Sequence, residues 1–179
     1  TPKVKQIEIK IDGADLPNAT MDKVFEVEVE NSLHLPSMFT IRFHDEELAL
    51  IDSTSFNAGK SVEILISNLE GTLTSVFKGE ITAIEPEFTE SYMGTLAVRG
   101  YDKGHRLNRG TKSRVFVQAT DSDIVKKIAG EAGLSVQTDA TTQVHEHVFQ
   151  YAVNDWAFVH ERARRNNFEV SVDDSKLFF

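Results

Sequence analysis

Two imidazoles two residues apart, in the run His145-Glu146-His147, form the pairing in this chain whose type and spacing best suit a metal. Side chains at i and i+2 of a strand share a face, and imidazole nitrogens are common zinc ligands. No third ligand follows nearby, so His160 or Asp155 would have to approach in space. The alternative is an exposed strand face, and no bound metal is expected. His160-Glu161 does not complete the HExxH signature, because position 164 is Arg164. The carboxylates Asp45, Glu46 and Glu47, or Glu85 and Glu87, could be cast as an acid and a base. In an acidic chain such groups arise freely. Gly100-Tyr101-Asp102-Lys103-Gly104 lacks the glycine spacing of a phosphate loop, and Thr111-Lys112-Ser113 has no glycine cradle before it. Neither a catalytic residue nor a cofactor is therefore expected.

The elements that would position these groups are clearer than the groups. Residues 150–168 read as a strand end running into a capped helix. Asn154 can accept a backbone N–H as N-cap, and Asp155 sits where the helix dipole favours negative charge. Trp156, Val159, Ala163 and Phe158 supply the apolar stripe. Trp156 and Phe158 read as core rather than as a ligand-stacking platform. Arg162, Arg164 and Arg165 load the last turn with positive charge, and Asn166 or Asn167 can take the left-handed stop. Upstream, Thr120 or Asp121 caps a helix over about 122–132, which Gly133 ends. Ile124, Val125 and Ile128 are its buried stripe. Trp156, Val159, Ile124 and Ile128 are the expected core of this region.

The first hundred residues read as strands. Ile7, Ile9 and Ile11 alternate with charged residues, as do Phe25, Val27 and Val29 with Glu26, Glu28 and Glu30. Phe39, Ile41 and Phe43, then Val62, Ile64 and Ile66, keep the period of two. Segments 74–85 and 95–101 add further strands, and Glu46 to Leu50 suggests a short helical turn. Turn residues such as Asp12-Gly13 and Leu35-Pro36-Ser37 separate the strands. Six or so closely spaced strands argue for a barrel or sandwich. The second part holds short strands at 115–117, 144–151 and 168–172, then a turn at Asp173-Asp174 opening a hairpin. Two domains are expected, a β-barrel over 1–104 and a small α+β domain over 105–179.

Composition narrows the function. The 179 residues are 40% hydrophobic, contain no cysteine and carry a net charge of −9. Disulfides, thiolate chemistry and Cys-based zinc sites are excluded. No run of about 18 apolar residues is present, so no helical membrane insertion is expected. Residues 1–100 hold 8 Lys/Arg against 17 Asp/Glu, whereas residues 101–179 hold 11 of each. An acidic first half argues against a nucleic-acid surface. The basic run Lys103, Arg106, Arg109, Lys112 and Arg114 reads as a solvated connector or, in a second reading, as a protein-contact or salt-bridge strip. The apolar ending Leu177-Phe178-Phe179 reads as an interrupted strand, suggesting the N-terminal portion of a longer protein.

Three segments in order carry a resemblance. They are Gly94 to Asp102 with Leu107 and the basic run Arg109 to Arg114; Asp121 to Leu134; and the Gln150-Tyr151 strand end with Asn154-Asp155, the Trp156 helix and the strand after it. Together they cover about residues 76–173, and they resemble the VgrG and late-control-D family. These are baseplate hub proteins of phage tails, type VI secretion and other contractile injection systems. The resemblance implies a tube-protein-like antiparallel β-barrel followed by a small α/β companion domain. It further implies a structural, non-enzymatic role joining the tail tube to the piercing spike, as a homotrimer of the full-length protein. The implied partners are the tail tube protein and spike and baseplate proteins. The implied place is a virion baseplate or injection apparatus, assembled from protein made in the bacterial cytoplasm. A second barrel and the spike would lie beyond Phe179. The alternative function is a carbohydrate- or ligand-binding β-module of a cell-surface protein, which calls for a cluster of exposed aromatics. A third, a cell-wall hydrolase domain, finds no signature in this chain.

Overall fold

A computed structural model describes residues 7–32, 35–68, 70–88 and 94–179. The chain divides into two compact units, one of residues 1–31 and 37–102, the other of 32–36 and 103–179.

The first unit contains β1 (Ile7–Ile11), β2 (Ala14–Asp15), the one-turn α1 (Asn18–Met21), β3 (Val24–Glu30), β4 (Met38–His44), β5 (Ser61–Ser67), β6 (Leu73–Phe88) and β7 (Gly94–Tyr101). They form one antiparallel sheet in the order β2-β1-β5-β6-β7-β4-β3. One core collects Ile9 and Ile11, Phe39, Ile41 and Phe43, Val62 and Ile64, Phe77 and Ile81, and Leu96 and Val98. Several of these are wholly buried, yet among the described residues of this unit no helix exceeds four residues. Among the described residues this core is otherwise completed only by Leu16 and Met21 at α1 and by the loop carrying Leu50, Ile51 and Phe56, so the sheet curls around its own apolar face. Among the described residues no pairing joins β3 to β2. The close approach of β6 and β7 requires Gly100, where a Cβ would stand 2.0 Å from the Glu80 carbonyl oxygen.

Three expectations for this unit fail. Phe25 does not face the core with Val27 and Val29. The β3–β4 register slips between Val24 and Glu26, so Val24 turns inward while Phe25 lies outside, stacked on His44 at 4.4 Å. Ile66 is likewise exposed. Strand β5 keeps an unbroken register with β1, so Ile66 stays on the face of Val62 and Ile64 but lies next to the strand's end, outside the core. The β5–β6 register slips beyond Ile64, and the extra residue, Val76 of β6, is exposed. Residues 46–50 form turns rather than a helix, with Leu48 at φ 55°.

The second unit begins with a 3-10 helix at Lys103–Asn108, followed by β8 (Lys112–Ala119), α2 (Asp121–Glu131), β9 (Ser135–Gln137), β10 (His145–Val153), α3 (Asp155–Asn166), β11 (Ser171–Asp173) and β12 (Lys176–Phe178). Strands β8 and β10 make an antiparallel ribbon, and β12 lies between β11 (antiparallel) and β9 (parallel). Its core joins Ile124, Val125 and Ile128 of α2 to Trp156, Phe158, Val159 and Ala163 of α3, with Leu107, Phe116, Val148 and Leu177. The basic run is thus no solvated connector. It holds a 3-10 helix with Leu107 buried and then a core strand.

Candidate functional site

The chemistry-bearing side chains that meet in this protein do so in the second unit, around two aspartates at helix starts. The first is Asp121. Thr120 is the N-cap of α2: its hydroxyl accepts the Asp123 N–H at 3.2 Å, and Asp123 Oδ2 accepts the Thr120 N–H in return, closing a capping box. Asp121 is then free to turn inward, where it is buried. Its Oδ1 accepts from Arg162 Nε, and its Oδ2 from Asn166 Nδ2 at 2.8 Å. His145 Nε2 lies 3.3 Å from Oδ2 and 3.0 Å from Arg162 Nη2. Burial pushes the Asp121 carboxyl up, but hydrogen bonds from Arg162, Asn166 and His145 outweigh it and hold the group below the usual carboxylate range.

The second node is Asp155. Asn154 caps α3 by accepting the Ala157 N–H at 2.8 Å, and Asn167 ends it in the left-handed conformation at φ 56°. Asp155 Oδ1 accepts from Arg114 Nη2 at 2.6 Å and Gln150 Nε2 at 2.9 Å, and Oδ2 from Lys112 Nζ at 2.6 Å. Gln150 is fully buried and also accepts from Arg114 Nε at 2.8 Å while donating to the Val153 carbonyl at 3.0 Å. Arg114 Nη1 reaches Glu131 at the end of α2. Every oxygen of both aspartates therefore faces a cation or an amide. Neither node pairs a nucleophile with a free base, and neither leaves a carboxylate open to a ligand.

The sequence-derived candidates are placed as follows. His145 is half-buried in the Asp121 node with a guanidinium against its Nε2, whereas His147 is exposed on the same strand. The two imidazoles thus have different surroundings. Among the described residues no three His, Asp or Glu side chains cluster as metal ligands. Asp45 is buried and accepts the Leu50 and Ile51 N–H groups, which shapes the loop, while Glu46 and Glu47 are exposed. Glu85 and Glu87 pair with Arg99 at 3.2 and 3.7 Å on the outer face of the sheet. Trp156 is 7% exposed, Ile124 1%, and Val159 and Ile128 0%; Trp156 also contacts the His160 ring at 4.7 Å. Sequence reasoning missed Arg162, assigned to the helix dipole, and the burial of Asp155 and Gln150. One signal was available. Phe158, Arg162 and Asn166 lie at i, i+4 and i+8, one row of a helix, so an arginine beneath Phe158 points inward.

A feature of another kind lies on the β8–β10 ribbon. Phe116, Val148 and Gln150 face the core, so the opposite face carries Val115 and Val117 beside Phe149 and Tyr151. All four are exposed, and the two rings stack at 5.7 Å.

The model of one family, described as the Alg8 N-terminal domain, matches residues 1–179. No curated protein matches the sequence. Among solved structures, the chain is similar to the 43 kDa tail protein of prophage MuSo2 from Shewanella oneidensis, with a TM-score of 0.74 at 17% identity over 97% of this chain. It is also similar to the E. coli c3393 protein, a component of the type VI secretion system (TM-score 0.63, 20% identity, 95% of this chain), and to a chain of a Francisella PdpA–VgrG complex (TM-score 0.62, 10% identity, 97%). This chain spans 52%, 48% and 31% of those three chains. The fold is therefore mainly antiparallel β with few helices, as in phage tail proteins, and the resemblance to baseplate hubs holds at the level of fold.

Proposed function

The chain belongs to the Alg8 N-terminal domain family, and from that premise and its fold we propose that it is a structural hub component of a phage tail or phage-like contractile injection system. The observation that carries the reading is the tail-protein fold, matched over 97% of the chain. On this reading the curled sheet of the first unit stacks against the tail tube, and the whole protein assembles as a homotrimer whose other partners are spike and baseplate proteins. The exposed Glu28 and Glu30 would face water or a basic strip on a neighbour, because carboxylates crowded into a dry seam repel. Glu26 is paired within the chain, with Arg42 of β4 at 3.0 Å. The proposal includes no catalytic step, metal or cofactor. Among the described residues no helix is long and apolar enough to cross a membrane.

The test is co-assembly. The whole protein should cap tubes of the cognate tail tube protein in electron micrographs and scatter light as a trimer. A stable monomer that leaves tube ends bare would overturn the reading. A carbohydrate-binding module is the second reading, favoured by the exposed Phe149–Tyr151 pair. Binding to a glycan array that is lost on Tyr151→Ala would establish it instead.

A further inference from the structure

We propose that the outer face of the β8–β10 ribbon is where a second copy of this chain docks. The face is contiguous by register, since Phe149 lies opposite Val115 and His147 opposite Val117. Val115 is 49% exposed, Val117 57%, Phe149 58% and Tyr151 71%. Together they leave roughly 400 Å² uncovered, within the range of the biggest apolar patch on a typical monomer, and such patches mark contact sites. It is about half of the ~800 Å² per partner that a stable interface buries, with polar flanks to supply the rest.

Charge selects the occupant. The chain carries a net −9, so two copies repel wherever carboxylates face each other. The outward positions of this ribbon are Ser113, Val115, Val117, His147, Phe149 and Tyr151, with no acidic residue among them. The cations of the same strand are turned away: Lys112 and Arg114 are held on the inner side by Asp155 and Glu131. A strongly acidic or basic partner would find nothing on this face to pair with. A second copy presenting an equally neutral apolar surface loses nothing by leaving water there. It is also a surface on which two acidic chains can meet without opposing carboxylates.

The inference rests on the self-assembly part of the hub reading, and it is tested apart from the tube. Sedimentation of the chain across concentrations up to about 1 mM measures self-association on the ordinary affinity scale. The expected result is reversible association that tightens when salt is raised, because salt screens the like-charge repulsion that opposes it. The double substitution Val117→Glu, Phe149→Glu puts carboxylates on the face at exposed positions. It should weaken association at least about tenfold, with far-ultraviolet circular dichroism and Trp156 fluorescence unchanged. The milder pair Val117→Ser, Phe149→Ser should weaken it less. Association that is equally strong in the Glu variant would sink this face while leaving a trimeric hub standing. Weakening by salt would show an ionic contact and overturn the inference, as would a strictly monomeric chain or oligosaccharide binding to this face in its place. Failure of the whole protein to cap tubes would count against the hub reading alone.

Discussion

Removing the Arg162 guanidinium is the sharpest perturbation of the second unit. Arg162 and Asp121 side chains are each 4% exposed and joined through Nε and Oδ1. In Arg162→Met the helix keeps a flexible apolar side chain of similar reach, but Asp121 keeps only Asn166 and His145 as partners. Breaking a buried pair by removing one partner costs about 3–5 kcal/mol, because the remaining charge stays out of water. Two features soften this. The carboxylate sits in the first turn of α2, where the dipole contributes about 0.3–1 kcal/mol, and the Asn166 amide still donates to it. We therefore expect a loss of about 3 kcal/mol. Trp156, the chain's one tryptophan, lies in the same core, so urea unfolding followed by its fluorescence reports this unit. The double variant Asp121→Leu, Arg162→Met removes both charges and should recover to within about 1–2 kcal/mol of the parent. A single-variant loss below about 1 kcal/mol, or a double variant no better than the sum of its singles, would refute the assignment of a coupled buried pair.

Three further outcomes are expected. Asp121 has its folded-state pKa below the ordinary value of 3.8, so its ionised form stabilises the fold above pH 3.8 and that contribution is lost as pH falls below it; acid titration of stability should be shallower there in Asp121→Asn, and parallel curves would contradict the shift. Trp156→Ala should cost about 3–5 kcal/mol, as for a large core side chain, and an unchanged thermal midpoint would show that the ring is not packed. Gly100→Ala forces a Cβ to within 2.0 Å of the Glu80 carbonyl oxygen and 2.5 Å of the Phe39 ring, both fixed in the sheet. A loss of at least about 1–3 kcal/mol from overpacking should appear in the melt of the first unit, and a neutral effect would show that β6 and β7 are farther apart than described.

Much of the element order was legible because it depends on local chemistry. Asn154 and Asn167 bound α3 as their side chains and backbone allow, and Gly133 takes a positive φ just after α2. The apolar alternation of 39–43 maps onto a strand with Phe39, Ile41 and Phe43 inward. Bulges were not legible. Alternation assumes a continuous register, and one extra residue at Phe25 or Val76 reverses which side chains face in without altering composition. The three-residue β9 and its parallel pairing with β12 were equally hidden, since a run such as Ser135-Val136-Gln137 carries too little pattern to announce a strand.

The site was less legible because hydropathy assigns charge to the surface. Arg162, Asp155 and Gln150 break that rule together, and each is intelligible only once its partner is known. Stability alone does not call for them, since a well-packed apolar set in place of a buried ion pair is often neutral or better. An apolar set has no direction, however. The Asp121–Arg162 pair fixes the start of α2 against one row of α3, and Asp155 ties the start of α3 to both strands of the ribbon through Lys112, Arg114 and Gln150. Arg114 then returns to Glu131 at the far end of α2. Helices and ribbon are thereby held at three points by bonds that tolerate little rotation. The consequence falls on the opposite side of the ribbon, where Val115, Val117, Phe149 and Tyr151 are presented as one fixed face. Buried charge on the inner side and exposed apolar surface on the outer side are two halves of a single arrangement, in which polar contacts inside set the geometry of a neutral surface outside.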